Sequence, residues 1–318
     1  ILKIKNGIIY SLNWIPFGGF VRMFGEDDPT ISKKNKKAFG AKKLWQRMLI
    51  VLAGVFMNFV LAWGLLTIGY TVGMHPILLP DEYDQAVTDG LLERSLVVTE
   101  VAEGSLAQTA GLLPADVITA IDGQVVSRGE DLRKALDNLK DAQITYTILR
   151  GENTLDLPVQ LDSEGKSGVT VAESYESHIV QYPFYQAPVV AIQDTARLSV
   201  MTVRFTVEFF EKLVVKQQLE ENVGGPVKIG QMTYELVKLG SLIDLIRFAA
   251  LISLSIGVIN LMPLPALDGG RFLFLAIEFV LGRPANRNLE AMIHALGFFL
   301  LLLLLLIITY RDVFSLLG

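Results

Sequence analysis

From Met48 to Met74 the chain reads MLIVLAGVFMNFVLAWGLLTIGYTVGM, a run without one charged residue. It exceeds the roughly 20 residues that a helix needs to cross the hydrocarbon core of a bilayer. Such a segment satisfies its own backbone hydrogen bonds only as a helix, so it is expected to span. Two further apolar stretches run from Phe248 to Leu267 and from Ala291 to Thr309, with His294 near one end of the latter. Between them FLFLAIEFVLG, residues 272–282, is too short to span and is expected as a helix at the membrane edge. Composition agrees: 51% of the 318 residues are hydrophobic and the mean hydropathy is +0.44, too high for an ordinary soluble protein. The absence of cysteine excludes disulfides and thiolate metal sites, and the net charge of -5 argues against a nucleic-acid partner. The sequence opens on Ile1 rather than Met and has no signal-peptide pattern, so a native N-terminus further upstream is expected.

The seven Lys and Arg residues of KKNKKAFGAKKLWQR immediately precede the first span and favour the cytoplasmic side for that end. The loop after residue 74 is then extracytoplasmic. Within it, residues 95–161 alternate short β-rich runs with turns and one helix from about Gly129 to Leu139, which reads as a small α/β module. Farther on, Asp194, Arg197, Arg204, Glu208 and Glu211 recur at helical spacing opposite Val200, Val203, Val207 and Phe210. That amphipathic helix either lies along the membrane surface or packs on the preceding module.

The second apolar stretch ends in NLMPLPALDGG, which places Asp268 and two prolines where a membrane helix should be most regular. A carboxylate at mid-membrane costs about 2.5–3.5 kcal/mol on insertion scales, so Asp268 needs a partner or a wet cavity. Pro263 and Pro265 remove backbone donors, and irregular backbone at that depth survives only inside protein or along water. The residue pattern alone leaves two readings open: an internal site, or a helix that ends at the interface with a solvated Asp-Gly-Gly turn.

NLMPLPALDGG resembles the Asn-x-x-Pro-x-Pro-x-Leu-Asp-Gly-Gly motif of site-2 proteases, the intramembrane zinc metalloproteases, with every fixed position present. YSLNWIPFGGFVRMFGE (10–26), AGVFMNFVLA (53–62, with Asn58) and GGPVKIG (224–230) resemble stretches of the bacterial branch in the same order. The middle module, VTEVAEGSLAQTAGLLPADVITAIDGQVV, is similar to a circularly permuted PDZ domain, with Leu106 and Ala115 replacing the usual Pro and Gly. The resemblance implies a multi-span α-helical membrane protein with an inserted extracytoplasmic α/β PDZ domain and an N-terminal membrane-associated β-hairpin. The expected organisation is a cytoplasmic-side hairpin and basic linker over 1–47, a span over 48–74, a linker over 75–94 and the PDZ domain over 95–161. A post-PDZ region with the amphipathic helix follows over 162–240, then the motif-bearing span over 241–270, a membrane-edge helix and loop over 271–290, a span over 291–310 and a tail over 311–318.

In that family zinc is held by two histidines of His-Glu-x-x-His and by the aspartate of the Leu-Asp-Gly motif, which here is Asp268. Two histidines four apart share a helical face, the Glu acts on the metal-bound water, and three ligands leave a fourth position open. Asn260 would contact substrate backbone or an oxyanion, or else make a helix-helix hydrogen bond. His75, His178 and His294 form no such pair, so the two histidine ligands and the general-base Glu are absent, and the sequence as given is expected to be inactive for want of the first helix. Substrate contacts are expected from Gly18, Gly19 and Phe20 in a hairpin that adds a strand to an unwound substrate, and from Pro263 and Pro265. Leu91, Leu92 and Val97 would line the PDZ groove with the helix 129–139, to capture a peptide or to act as a steric filter. The implied activity is hydrolysis in or near transmembrane segments of single-span proteins, as in bacterial regulated intramembrane proteolysis of anti-sigma factors or signal-peptide remnants. Its setting would be the bacterial inner membrane, in contact with the lipid bilayer and with no nucleic acid. The alternative is a non-catalytic PDZ-bearing membrane scaffold or pseudoprotease.

Overall fold

A computed structural model describes residues 3–5, 8–10, 23–25, 35–137, 139–217, 224–284 and 286–317. The chain forms two compact units, one of Ile1–Leu65, Ile192–Gly240 and Phe248–Gly318, the other of Leu66–Ala191 and Ser241–Arg247. Three helices are long and apolar enough to cross a membrane: Leu44–Val72, Leu242–Leu261 and Asn288–Leu316.

In the first unit, β1 (Lys3–Lys5) pairs antiparallel with β2 (Ile8–Tyr10). Gly18, Gly19 and Phe20, the expected centre of the hairpin, lie outside the described residues. Helix α1 (Leu44–Val72) starts straight after the basic run and ends where Gly73 takes φ +105°, a conformation open to glycine and unfavourable to other residues. Against α1 packs a later helix, Leu242–Leu261, through small residues. Ser253 Oγ donates to the Asn58 carbonyl at 3.0 Å, and a Cβ on Gly257 would stand 3.1 Å from that of Asn58. Small side chains let the two backbones approach, which is what drives helix association where lipid is as apolar as leucine. At the start of α1, Arg47 makes a two-pronged ion pair with Glu278, at 3.2 and 3.3 Å.

The second unit holds a six-stranded antiparallel sheet. Its elements are α2 (Tyr83–Thr88), β3 (Leu92–Val101), α3 (Leu106–Thr109), β4 (Val117–Ile121), β5 (Gln124–Val125), α4 (Gly129–Leu136), β6 (Gln143–Arg150), β7 (Asn153–Gln160) and β8 (Val169–Ser177). Strand order is β7-β6-β4-β3-β8, with β5 on β4. Period-two alternation puts Ile144, Tyr146 and Ile148 of β6 into the core with Leu96, Ile118 and Leu112. The module therefore extends past residue 161, since β8 pairs with β3 from Leu92↔Ser177 to Val101↔Val169. Its helix stops at Leu136, short of the expected Leu139. Ala115, where the PDZ pattern has glycine, takes φ +72° and so carries strain that glycine would not.

Strand placement corrects the expected groove. Val97 sits between β8 and β4, paired with Ala172 and Val117, and Leu92 is buried and paired with Ser177. Leu91, Leu92 and Val97 therefore offer no open strand edge beside α4. The strand at the sheet's edge next to α4 is β8, which the sequence reading left out because its partner β3 lies far away in sequence. Glu173 of β8 accepts a hydrogen bond from the Gly129 N–H at 3.0 Å and one from the Tyr175 hydroxyl at 2.6 Å. The Tyr175 hydroxyl, then the Gly129 N–H, hold the Glu173 carboxyl below the usual range.

A buried carboxylate paired with a partly exposed arginine ties β4 to β6. Asp116, 1% exposed, accepts from Arg150 Nε and Nη2, both at 2.7 Å, and from the Leu113 N–H at 2.8 Å. Burial pushes this carboxyl up, but the Arg150 bonds and the Leu113 N–H together hold it below its ordinary value. A carboxyl lowered by folding contributes stability above its unfolded pKa, about 3.9, and that contribution is lost as pH falls through the lower folded value. Hydrogen exchange of β4 and β6 peptides should therefore quicken as pH drops below about 4, after correction for the intrinsic rate. Asp116→Ala should speed it at neutral pH, because the Leu113 N–H and both Arg150 donors lose their acceptor. Unchanged protection in that variant would mean that the pair does not hold the module.

Candidate active site

The motif lies in a break between two helices of the first unit. The remaining helices are α5 (Ala187–Val214), α6 (Pro226–Lys238), α7 (Leu242–Leu261), α8 (Asp268–Leu281) and α9 (Arg287–Leu317). Asp268 thus begins a helix; it does not interrupt one. The expected spans shift accordingly: residues 262–267 are a loop, and residues 272–282 belong largely to α8. At the first position of α8 the carboxylate faces the positive end of the helix dipole, which stabilises its charge by about 0.3–1 kcal/mol at an exposed site and by more when partly buried. Asn260 occupies the last turn of α7 and is half-buried.

Every backbone donor of the break has an account. Met262 N–H donates to the Ile259 carbonyl at 3.1 Å, Leu264 N–H to Met262 at 2.7 Å, and Leu267 N–H to Leu264 at 3.3 Å. Pro263 and Pro265 have no N–H to place. The one donor left is Ala266 N–H, which donates to Nδ1 of His294 on α9 at 2.9 Å. Ala266 holds φ +73°, a left-handed conformation that costs alanine about 1–2 kcal/mol. An amide left unmet in an apolar surrounding would cost several kcal/mol, which the bond to His294 avoids.

The paired glycines make the turn sterically possible. A Cβ on Gly269 would collide with the carbonyls of Leu261 and Met262, and one on Gly270 with the carbonyl of Leu264. Across the loop, a Cβ on Gly297 of α9 would strike Pro265. Pro265 is thereby packed against α9, while Pro263 is exposed. Below the loop, Asp312 of α9 is buried and accepts from the Gly225 N–H at 2.9 Å and the Lys228 N–H at 3.1 Å, capping α6. This explains the Gly-Gly-Pro motif: a Cβ on Gly225 would stand 2.7 Å from Ile308 and 2.8 Å from Asp312.

Of the residues expected at the site, Pro263 and Pro265 fall in the break, while Asn260 lies in the helical turn before it and Asp268 in the one after it. His294 carries no sequence signal for a place here, since only folding brings it to Ala266. His75 instead meets Ser177 in the second unit, its Nδ1 2.9 Å from Ser177 Oγ. Among the described residues no group of three His, Cys, Asp or Glu side chains comes together. Asp268 is therefore a single oxygen donor, and the donors described do not by themselves make a metal site.

The model of peptidase family M50 matches residues 1–304. A provisionally named zinc metalloprotease of Rhizobium meliloti is 31% identical over 338 aligned positions, covering 99% of this chain and 85% of that protein. The regulator of sigma-W protease RasP of Bacillus subtilis is 30% identical over 87% of this chain and 61% of its own length. Zinc metalloprotease RasP of Shouchella clausii is 32% identical over 88% and 62%. With a match that runs through the Leu-Asp-Gly-Gly break and nearly the whole chain, the protein belongs to peptidase family M50, the site-2 protease family that the motif resembles.

Proposed function

We propose that the chain is part of an intramembrane zinc metalloprotease that hydrolyses peptide bonds in or near the transmembrane segments of single-span proteins. The observation that carries this reading is the break itself: a carboxylate at the head of α8, behind a loop whose every donor is satisfied and whose contacts tolerate no side chain at Gly269 or Gly270. A surface turn has no need of that construction. Relatives named as zinc metalloproteases support the metal. Asp268 is the one ligand this chain would give it, and when bound the metal would supply a Lewis acid and an activated water. The two histidines and the general-base Glu would come from a helix that the given sequence does not include.

The remaining roles belong to this chain's own groups. A substrate helix shields its peptide carbonyls with its own hydrogen bonds and must unwind before attack. The non-helical backbone of residues 262–267 carries exposed Pro263 and runs from the last turn of α7, with half-buried Asn260, to Asp268 at the head of α8, where an extended segment would lie. Gly18, Gly19 and Phe20 are proposed to pair with the same segment from the cytoplasmic side, by strand addition. The sheet module is proposed to be an extracytoplasmic PDZ domain that excludes substrates with untrimmed outer portions. In favour of exclusion over peptide capture stands Glu173, which already bridges β8 to the first N–H of α4. The bacterial inner membrane fits the basic run before α1.

Two measurements test the site. In the full-length protein reconstituted in vesicles, Asp268→Asn should lower cleavage of a single-span substrate by at least about 100-fold, beyond the 10–100-fold typical of residues that only support a ligand, and should reduce bound zinc. Wild-type turnover in that variant would sink the ligand assignment. Gly269→Ala should push the loop off α8, destabilising it by about 1–3 kcal/mol, with cleavage falling alongside while Asp268 remains in place. Full activity in Gly269→Ala would mean that the close backbone approach is not needed.

A further inference from the structure

We propose that His294 is the positioning residue of the site: as a neutral ring protonated on Nε2, it holds the left-handed turn at Ala266 and thereby sets where Asp268 begins α8. The donor account of the break leads there. Two of its residues are prolines and three N–H groups are met within the chain's own turn, so one amide depends on another helix. That amide belongs to Ala266, two residues before Asp268, at the position with φ +73°. Its acceptor is Nδ1 of His294. A ring nitrogen that accepts from an amide carries a lone pair, so the ring proton is on Nε2.

The surroundings are built around this ring. The ring packs on the first turn of α8, where a Cβ on Gly270 would stand in van der Waals contact with His294 Cε1, at 3.4 Å. Phe274, one turn farther along α8, places its ring centroid 5.5 Å from the imidazole. Three residues along α9, Gly297 admits Pro265. The ring therefore lies against both the loop and the helix that Asp268 heads. Its Nε2 is sealed and has no hydrogen-bond partner among the described residues. If packing alone were the role, a phenyl ring would fill this place without a stranded donor. The hydrogen bond from Ala266 is what the imidazole supplies and a hydrocarbon ring does not.

The effect on catalysis rests on the proposed role of Asp268; the effect on the loop does not. Three variants of the full-length protein in nanodiscs separate the cases. In His294→Asn the amide oxygen falls near the Nδ1 position and still accepts from Ala266; in His294→Gln it falls near Nε2 and does not; His294→Phe keeps volume alone. Hydrogen exchange of peptides covering residues 262–267 should stay near wild type in the Asn variant and rise at least about tenfold in the other two, with peptides of α1 and β6 unchanged. Turnover should follow: rescue by Asn, and a drop of about 10–100-fold in kcat with little change in KM for Gln and Phe, as for a displaced catalytic group. Wild-type exchange and turnover in His294→Phe would overturn the proposal, as would an Asn variant as impaired as Phe. If exchange responds as expected but Asp268→Asn leaves cleavage intact, the loop assignment stands and the protease role of Asp268 falls.

Discussion

A backbone that leaves its helix inside an apolar layer must still satisfy each N–H, and the break between Leu261 and Asp268 is organised by that demand. Two prolines reduce the number of donors, three short-range bonds absorb most of the rest, and His294 takes the last. The glycine pair then lets the loop's carbonyls lie against the start of α8, where any side chain would collide. From this closure follows the placement of Asp268 at a helix N-terminus, where its charge is stabilised by the aligned peptide dipoles. The broken backbone thus serves two ends, a carboxylate at a helix N-terminus and a stretch of chain not committed to helical hydrogen bonds.

Elsewhere in the first unit the same economy appears as close approach and buried capping. Ser253 and Gly257 bring α7 against α1, and Asp312 caps α6 at the glycine pair ahead of Pro226. In the second unit the sheet depends on different forces: a closed hydrophobic cluster and the ion pair of buried Asp116 with partly exposed Arg150. Edge strand β8 is tied to α4 by Glu173, which accepts from the Gly129 N–H.

The three apolar helices and the alternation that makes β6 half-buried were legible in sequence, because hydropathy and periodicity are local quantities. Other features were not. Strand β8 reads as an isolated polar run, and only its pairing with β3 reveals that residues 169–177 complete the sheet and displace Leu91, Leu92 and Val97 from its edge. Asp268 read as a charge within a span, whereas it heads a new helix once the chain has turned at Ala266. A single His on an apolar helix has no local signature at all, and its role depends on an amide 28 residues away.

Sequence by itself determined the solvent, the number of long apolar segments, the family motif and the side chains available for chemistry, because each follows from residue type and spacing. Tertiary structure alone decided which strand forms the edge, which histidine supports the loop and why both glycines are required. Those properties are distances between atoms remote in sequence, and they exist only when α7, α8 and α9 close on one another.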